Sequence, residues 1–232
     1  MLSLPEFIAP ESEAQAREAQ SELRDRLRLT DDFPALNLIG GVDVGYDNGT
    51  DRAHASIVTM KVDDLKPIAQ VQAFAPVGFP YIPGLLAFRE IPAILVALAK
   101  LQSLPDVLMV DGQGIAHPRR MGIAAHLGVL LDHPSIGVAK SRLTGKYEEP
   151  GPKKGDRSPL MAGVEQIGVV LRSRDKVNPL FVSPGHRVSM ETALALTLRC
   201  LTKYRLPEPT RIADKLSKVK KLHCGTDTAM LL

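Results

Sequence analysis

The sequence predicts an α/β fold in which three antiparallel strands lead into a strand–helix–strand unit of parallel strands. Three observations carry this expectation. The β-prone stretches Leu38 to Val44, Ala53 to Val62 and Ile68 to Val77 follow one another too closely for crossover helices, so they form a meander. Val107 to Val110 and Ser135 to Ala139 are short apolar runs on either side of a helical stretch at residues 119–131, which implies a parallel pair. With 232 residues, 44% hydrophobic and 24% charged, the chain can bury a sizeable core and is too apolar to be disordered.

In chain order, Glu11 to Leu29 reads as a helix, with acids early, bases late and Leu23, Leu27 and Leu29 near one face. The first strand is followed by the turn signal Asp47-Asn48-Gly49, and Asp63 to Pro67 separates the second strand from the third. Phe79-Pro-Tyr-Ile-Pro-Gly84 is a loop pinned by its prolines; a helix is expected after it, from Leu85 to Leu104, with Pro92 as a kink site. Residues 144–160 are rich in Gly, Pro and charge and are expected to form a loop. Val164 to Arg172 and Leu180 to Val182 read as late strands, and Met190 to Lys203 as a helix capped by Ser189. A basic helix is expected to start after Arg211, with the tail beyond about residue 215 only partly ordered. No linker or repeat divides residues 1–232, so one domain is expected. This order is that of a ribonuclease H-like mixed sheet flanked by helices. Fold does not establish function, so the site has to be argued from its residues.

Several classes fall away on composition. No apolar run approaches the ~20 residues that span a bilayer. Met1 to Ala14 has neither a basic stretch nor a long apolar core, so no signal peptide is expected. Two cysteines, Cys200 and Cys224, cannot build a disulfide framework, and no Cys/His spacing resembles a zinc site. The expectation is a soluble, cytoplasmic, thiol-reduced monomer. Net charge is only +3, yet Leu201 to Leu222 holds seven Lys/Arg against two acids and Lys140 to Arg157 six against three. Such blocks attract phosphate polyanions. They also suit solvated surface segments, so charge suggests nucleic acid without establishing it.

Three acids have the placement for metal chemistry. Asp43 lies inside the first strand, where aspartate is disfavoured and a buried charge is costly unless paired or metal-bound. The flanking Val42 and Val44 fit a surface-facing aspartate equally well, and the spacing leaves both readings open. Asp111 ends an apolar strand, where ligand groups gather in open α/β sheets, and Gly112 and Gly114 allow a substrate close to the backbone. Glu90, on the helix after the proline loop, is ordinary by itself and gains weight from the architecture. In a ribonuclease H-like sheet an acid in strand one, a helical acid and an acid ending strand four converge. Converging carboxylates repel one another unless a cation neutralises them. Oxygen ligands without a Cys/His cluster indicate Mg²⁺, with Mn²⁺ as the alternative, and hydrolysis of a phosphodiester as the chemistry.

From Ile39 to Asp214 the chain resembles the endonuclease V family of deoxyinosine 3′-endonucleases. The resemblance rests on Gly41-Val-Asp-Val-Gly-Tyr46, on Pro80-Tyr-Ile-Pro-Gly-Leu-Leu-Ala-Phe-Arg-Glu90 and on Val110-Asp-Gly-Gln-Gly-Ile-Ala-His-Pro-Arg-Arg120. Ile136-Gly-Val-Ala-Lys140, Gly185-His-Arg-Val-Ser189 and Tyr204-Arg-Leu-Pro-Glu-Pro-Thr-Arg211 add to it. It implies a DNA repair nuclease that nicks the second phosphodiester bond 3′ to deaminated adenine by metal-activated water, leaving 3′-hydroxyl and 5′-phosphate ends. By the same resemblance Asp43, Glu90 and Asp111 are metal ligands, and Asp214 holds a fourth site position that some members fill with His. Lys140 matches a lysine placed to stabilise the phosphate transition state.

Tyr81, between Pro80, Ile82 and Pro83, matches the family's strand-separating wedge, suited to fill the gap left by an everted base. His117 and Arg119 are expected at a helix start, where phosphate binds well, and a capping or packing role fits His117 equally. Backbone groups around Gly84, Gly112 and Gly137 are expected to line the pocket for the base, whose hypoxanthine edge offers O6 as acceptor and N1–H as donor. The partner is inosine-containing DNA, in double or single strands, with inosine-containing RNA as an alternative. Another ribonuclease H-like nuclease is the competing enzyme, and a non-catalytic nucleic-acid-binding module the competing class.

Overall fold

The structure is a computed structural model that describes residues 2–33, 35–47 and 51–218, together with the backbone of residues 230–231. The turn residues Asn48 and Gly49, as well as His223 and Cys224, lie outside the described residues.

The meander forms as expected. Strands β1 (Leu38–Tyr46), β2 (Arg52–Lys61) and β3 (Pro67–Pro76) pair antiparallel in sequence order. Strands β4 (Val107–Val110) and β5 (Ser135–Ala139) are parallel to one another, and β4 lies parallel against β1. Strands β6 (Arg157–Ala162), β7 (Glu165–Leu171) and β8 (Leu180–His186) extend the sheet beyond β5 by antiparallel pairing. With the two-residue β9 (Met230–Leu231) on the far edge, the sheet order is β6-β7-β8-β5-β4-β1-β2-β3-β9.

Helices cover both faces. On one face α2 (Ala87–Leu98) and α3 (Ile123–Leu131) bury Val42, Ala55, Ile57, Leu108 and Val110. On the other, α4 (Met190–Arg199) and α5 (Glu208–Ser217) bury Ile39, Met60, Val107, Met109 and Val138. Strand alternation sorts these sets: Val107 and Met109 go to one core, Leu108 and Val110 to the other. Among the described residues no helix is long and apolar enough to cross a membrane.

Several boundaries differ from expectation, each for a local reason. Helix α1 (Glu13–Arg24) ends before Leu27 and Leu29, because Arg26 and Leu27 donate to Leu23 and Arg24 in a tightened last turn. The same tightening at Lys100 and Leu101 ends α2 at Leu98, short of Leu104, and Pro92 sits inside the helix without ending it. Helix α3 starts at Ile123 rather than at residue 119, since Arg120 takes a left-handed φ of 58° that no helix accepts. Residues 157–160, expected in a loop, belong to β6, an edge strand, where Pro159 is tolerated. Strand β8 runs past Val182, where the expected strand ended, through Pro184 and Gly185 to His186. Helix α4 stops at Arg199, with Cys200 as its C-cap. Helix α5 starts at Glu208 instead of after Arg211, because Pro207 and Pro209 fall where a helix lacks donors to lose.

Candidate active site

The parallel register of β1 and β4 sets Val42 beside Val110, so the next residues, Asp43 and Asp111, emerge side by side at the carboxyl end of the sheet. The Asp111 amide donates to Val42 O at 2.9 Å and fixes that relation. Asp43 shares its face of β1 with Gly41 and Gly45, and both glycines are there for contact. A Cβ on Gly41 would lie 2.0 Å from Pro209 O, and one on Gly45 2.7 Å from Ser217 O. Helix α5 therefore rests on bare backbone and lowers Asp214 and Ser217 onto Asp43. Ser217 Oγ donates to Asp43 Oδ2. Of the two readings of Asp43 the structure selects the buried one: it is 9% exposed. Asp43, Asp111 and Asp214 each offer a carboxylate oxygen within 4.8 Å of the others.

Lys140, just past β5, is the internal counter-ion. Its Nζ lies 2.5 Å from Asp111 Oδ2 and 2.5 Å from Asp214 Oδ1. Burial works against its charge, but the Asp111 and Asp214 carboxylates outweigh burial and raise its pKa. One ammonium does not balance the cluster. Burial and the charge of Asp111 push Asp43 up to about 7, against the opposing effects of Ser217 and Lys140. For Asp214 burial is outweighed by hydrogen bonds from Lys140 and Lys218, which hold it below the usual carboxylate range.

Glu90 stands apart from this trio. It is on α2, which covers the opposite face of the sheet, and it is not one of the three carboxylates within 4.8 Å of one another. Tyr46 Oη donates to Glu90 Oε1 at 3.0 Å, and Arg89 lies over the Tyr46 ring, 5.3 Å from its centroid. Burial raises Glu90 to about 8, with the charges of Asp43 and Asp111 adding to the rise.

The trio suits a hard divalent cation. Its donors are carboxylate oxygens, one of them left reluctant to ionise, and Asp111 Oδ2 is buried and makes an ion pair without hydrogen-bond geometry. Asp43, Asp111 and Asp214 would hold such an ion, with Glu90 on its flank.

A cleft of about 380 Å³ opens beside the acids and shares Asp111 and Lys140 with them. Tyr81, Ile82, Pro83, Gly84, Gly112, Gln113, Arg142 and Leu143 are among the residues that line it. Tyr81 is 69% exposed. Pro80, also exposed, is not among the lining residues. Gly84 and Gly112 line the cleft, but Gly137 does not: its missing side chain lets Gly114 N and the Gln113 backbone pack directly onto β5, 2.2 Å and 2.6 Å from where a Cβ would be. Gly137 thus sets how closely the 112–114 backbone lies on β5. A more open hollow of about 500 Å³, formed by β6, β7 and the start of α4, contains none of the site residues.

His117 and Arg119 do not lie at a helix start, since α3 begins at Ile123, and so the helix offers them no phosphate site. Both are turned inward. His117 Nε2 is 3.0 Å from Gly84 O, and its Nδ1 accepts from Arg119 N at 3.2 Å. Burial and the neighbouring Arg119 push this imidazole down to about 4, so it is neutral. Arg119 donates to Gly84 O at 2.8 Å and to Gln20 Oε1 at 2.6 Å. Gln20, fully buried on α1, donates to Gly84 O and Met121 O, each at 3.1 Å. The Gly84 carbonyl thus receives three donors and is spent on holding the proline loop.

Gln20 and Ser217 were not legible as site residues. A glutamine on an amphipathic helix and a serine in a basic tail carry no sequence signal. Tyr46 closes the Gly41–Tyr46 motif, which was a usable hint.

Comparison with known proteins bears on these residues. The endonuclease V family model matches residues 21–215, which spans the acids, the proline loop and the cleft. Endonuclease V of Azotobacter vinelandii is 54% identical over 204 residues, 88% of this chain and 92% of its own. The crystal structure of endonuclease V from Streptomyces avermitilis superposes with a TM-score of 0.86 at 47% identity, covering 90% of this chain and 93% of that one. Ciona intestinalis endonuclease V, solved in complex with a 24mer DNA containing an inosine followed by a ribo-adenosine, gives 0.75 at 32% identity over 88% and 95%. The chain belongs to the endonuclease V family of nucleases.

Proposed function

We propose that this chain is a divalent-metal-dependent DNA repair endonuclease that recognises deoxyinosine and hydrolyses the second phosphodiester bond 3′ to it, leaving 3′-hydroxyl and 5′-phosphate ends. The observation that carries this reading is that one cleft, of a size for a nucleobase, shares Asp111 and Lys140 with the acidic trio. A base everted into the cleft brings its own backbone to the acids. The inosine-containing DNA held by the Ciona relative supports the choice of base.

In this reading Asp43, Asp111 and Asp214 hold Mg²⁺, or Mn²⁺ in its place, and Glu90 completes the acidic site from α2. The cation supplies water activation and neutralisation of phosphate charge. Lys140, between Asp111 and Asp214, offsets charge developing on the phosphate oxygens. Arg205 donates to Lys140 O at 2.7 Å and steadies that backbone. Tyr81 and its prolines occupy the gap in the opened strand. His117, Arg119 and Gln20 shape the wall through Gly84 rather than binding phosphate. The partner is inosine-containing DNA, and the protein acts as a cytoplasmic monomer.

The test is a nicking assay on two duplexes that differ by a single inosine, with Mg²⁺ or EDTA. The expected product is one nick, at the second bond 3′ of inosine, in the Mg²⁺ lane alone. Equal cleavage of both duplexes would favour an unspecialised ribonuclease H-like nuclease, and EDTA-insensitive binding without nicking a binding module.

A further inference from the structure

The proline loop that carries Tyr81 is anchored at both ends. Phe79, which opens it, is 4% exposed, and Leu85, which follows it, is fully buried. Both enter one small apolar cluster with Phe88 of α2, and Ile82, the neighbour of Tyr81, packs against the same cluster. The rest of the cover comes from far away in the chain. Helix α1 contributes Ala16 and Ala19, and the segment ahead of it contributes Phe7. The Phe7 ring lies 6.1 Å from that of Phe88, which in turn lies 5.6 Å from Phe79. Leu2 and Leu4 pack, like Phe7, against the core that α2 and α3 cover. Gln20 of α1 adds a polar tie to Gly84 O at 3.1 Å. A strand-opening wedge needs such support: unstacking costs a few kcal/mol per step, and the strand pushes back on whatever fills the gap. Tyr81 is exposed, so its ring takes its rigidity from the loop beneath it.

We propose that residues 7–20 are the footing of the wedge, and that Phe7 is a positioning residue for strand opening that acts through Phe88 and Phe79 on Tyr81. Without the Phe7 ring the cluster loses cover, the loop yields, and Tyr81 is displaced when the strand restacks. Phe7 is neither one of the acids nor a lining residue of the cleft, so cutting a strand that is already open does not need it. This inference rests on the wedge reading of Tyr81 above.

The experiment measures kcat/KM for nicking two substrates: a duplex with one inosine, and the same strand with that inosine in a preformed bubble of unpaired bases, where nothing is left to open. Wild type is compared with Phe7→Ala, Phe7→Leu, a deletion of residues 2–10, Tyr81→Ala and the double variant Phe7→Ala/Tyr81→Ala. The duplex-to-bubble ratio is expected to fall roughly 10-fold in Phe7→Ala and in the deletion, and to stay near wild type in Phe7→Leu, which refills the cluster. Phe7 is half-buried, so the alanine variant is expected to fold even if the deletion is not tolerated. A general loss of folded protein lowers both substrates alike and cancels in the ratio. The double variant is expected to match Tyr81→Ala alone, since both substitutions act through one ring. An unchanged ratio in Phe7→Ala, equal loss on both substrates, or effects that multiply in the double variant would overturn the proposal. An unchanged ratio in Tyr81→Ala would overturn the wedge reading itself, a result distinct from failure of the Phe7 variants alone.

Discussion

Gly41 lies directly beneath Pro209, so close that a Cβ on the glycine would sit 2.0 Å from the Pro209 carbonyl oxygen. This contact lets α5 lie on β1 and brings Asp214 to Asp43, acids separated by most of the chain. Gly41→Ala is expected to lift α5, destabilise the protein by about 1–3 kcal/mol and lower nicking at saturating Mg²⁺. Chemical denaturation and the nicking rate measure the two effects. A variant with unchanged stability would show that α5 is free to shift.

Burial raises Asp43 to about 7 and Glu90 to about 8; the charge of Asp111 adds to both, and that of Asp43 adds to Glu90. The unfolded chain releases these protons near pH ~4, so between that pH and about 8 the native state binds more protons and loses stability as pH rises. The buried histidines act in the opposite sense. His117 at about 4 and His126 at about 3, both lowered first by burial, destabilise the fold as pH falls below ~6.5. The acidic effect is therefore clearest between pH 6.5 and 8. In EDTA the wild-type Tm is expected to fall across that window. Asp43→Asn removes part of the fall and melts higher at pH 8, and it does not nick. A wild-type Tm that rises across the window would contradict the raised carboxyls.

Lys140 is the cation already present among the acids, with Nζ 2.5 Å from both Asp111 and Asp214. Lys140→Met leaves the carboxylates less balanced. Melting in EDTA should drop, calorimetry should show tighter Mg²⁺ binding, and nicking at saturating Mg²⁺ should fall on the order of 10²- to 10³-fold. Full nicking activity in this variant would remove Lys140 from the chemistry.

Tyr81 is 69% exposed, so its ring contributes little to folding. Tyr81→Ala should leave stability within about 0.5 kcal/mol. Nicking of inosine duplexes should fall roughly 10- to 100-fold, the scale of one base–aromatic stack. Tyr81→Phe should retain most of the activity. An equally active alanine variant would leave the wedge role without support.

The meander, the parallel pair and the strand-end Asp111 were legible because apolar runs and a charge at their end are local signals. Asp43 was ambiguous from its flanks, since both faces of β1 are covered and alternation cannot say which cover is polar. The glycine contacts that decide it, Gly41 with Pro209 and Gly45 with Ser217, join residues far apart in sequence. Glu90 was expected among the metal ligands because helical acids converge in such sheets; it lies on α2, on the opposite face from α5, and the carboxylates within 4.8 Å of one another are those of Asp43, Asp111 and Asp214. His117 and Arg119 looked like phosphate ligands, since a Pro and two Arg before an apolar run imitate a helix start. The left-handed Arg120 delays the helix and turns both side chains toward Gly84. Proline misled at β6, an edge strand where the missing donor of Pro159 costs nothing.

The central claim is that Asp43, Asp111 and Asp214 seat a divalent cation. A crystal grown with Mn²⁺ and measured at the manganese absorption edge tests it most directly. An anomalous peak is expected within roughly 2.0–2.6 Å of oxygens from these carboxylates, the range of hard-cation bonds to oxygen, with the Lys140 ammonium moved aside. Manganese bound elsewhere, with Lys140 still bridging Asp111 and Asp214, would contradict it.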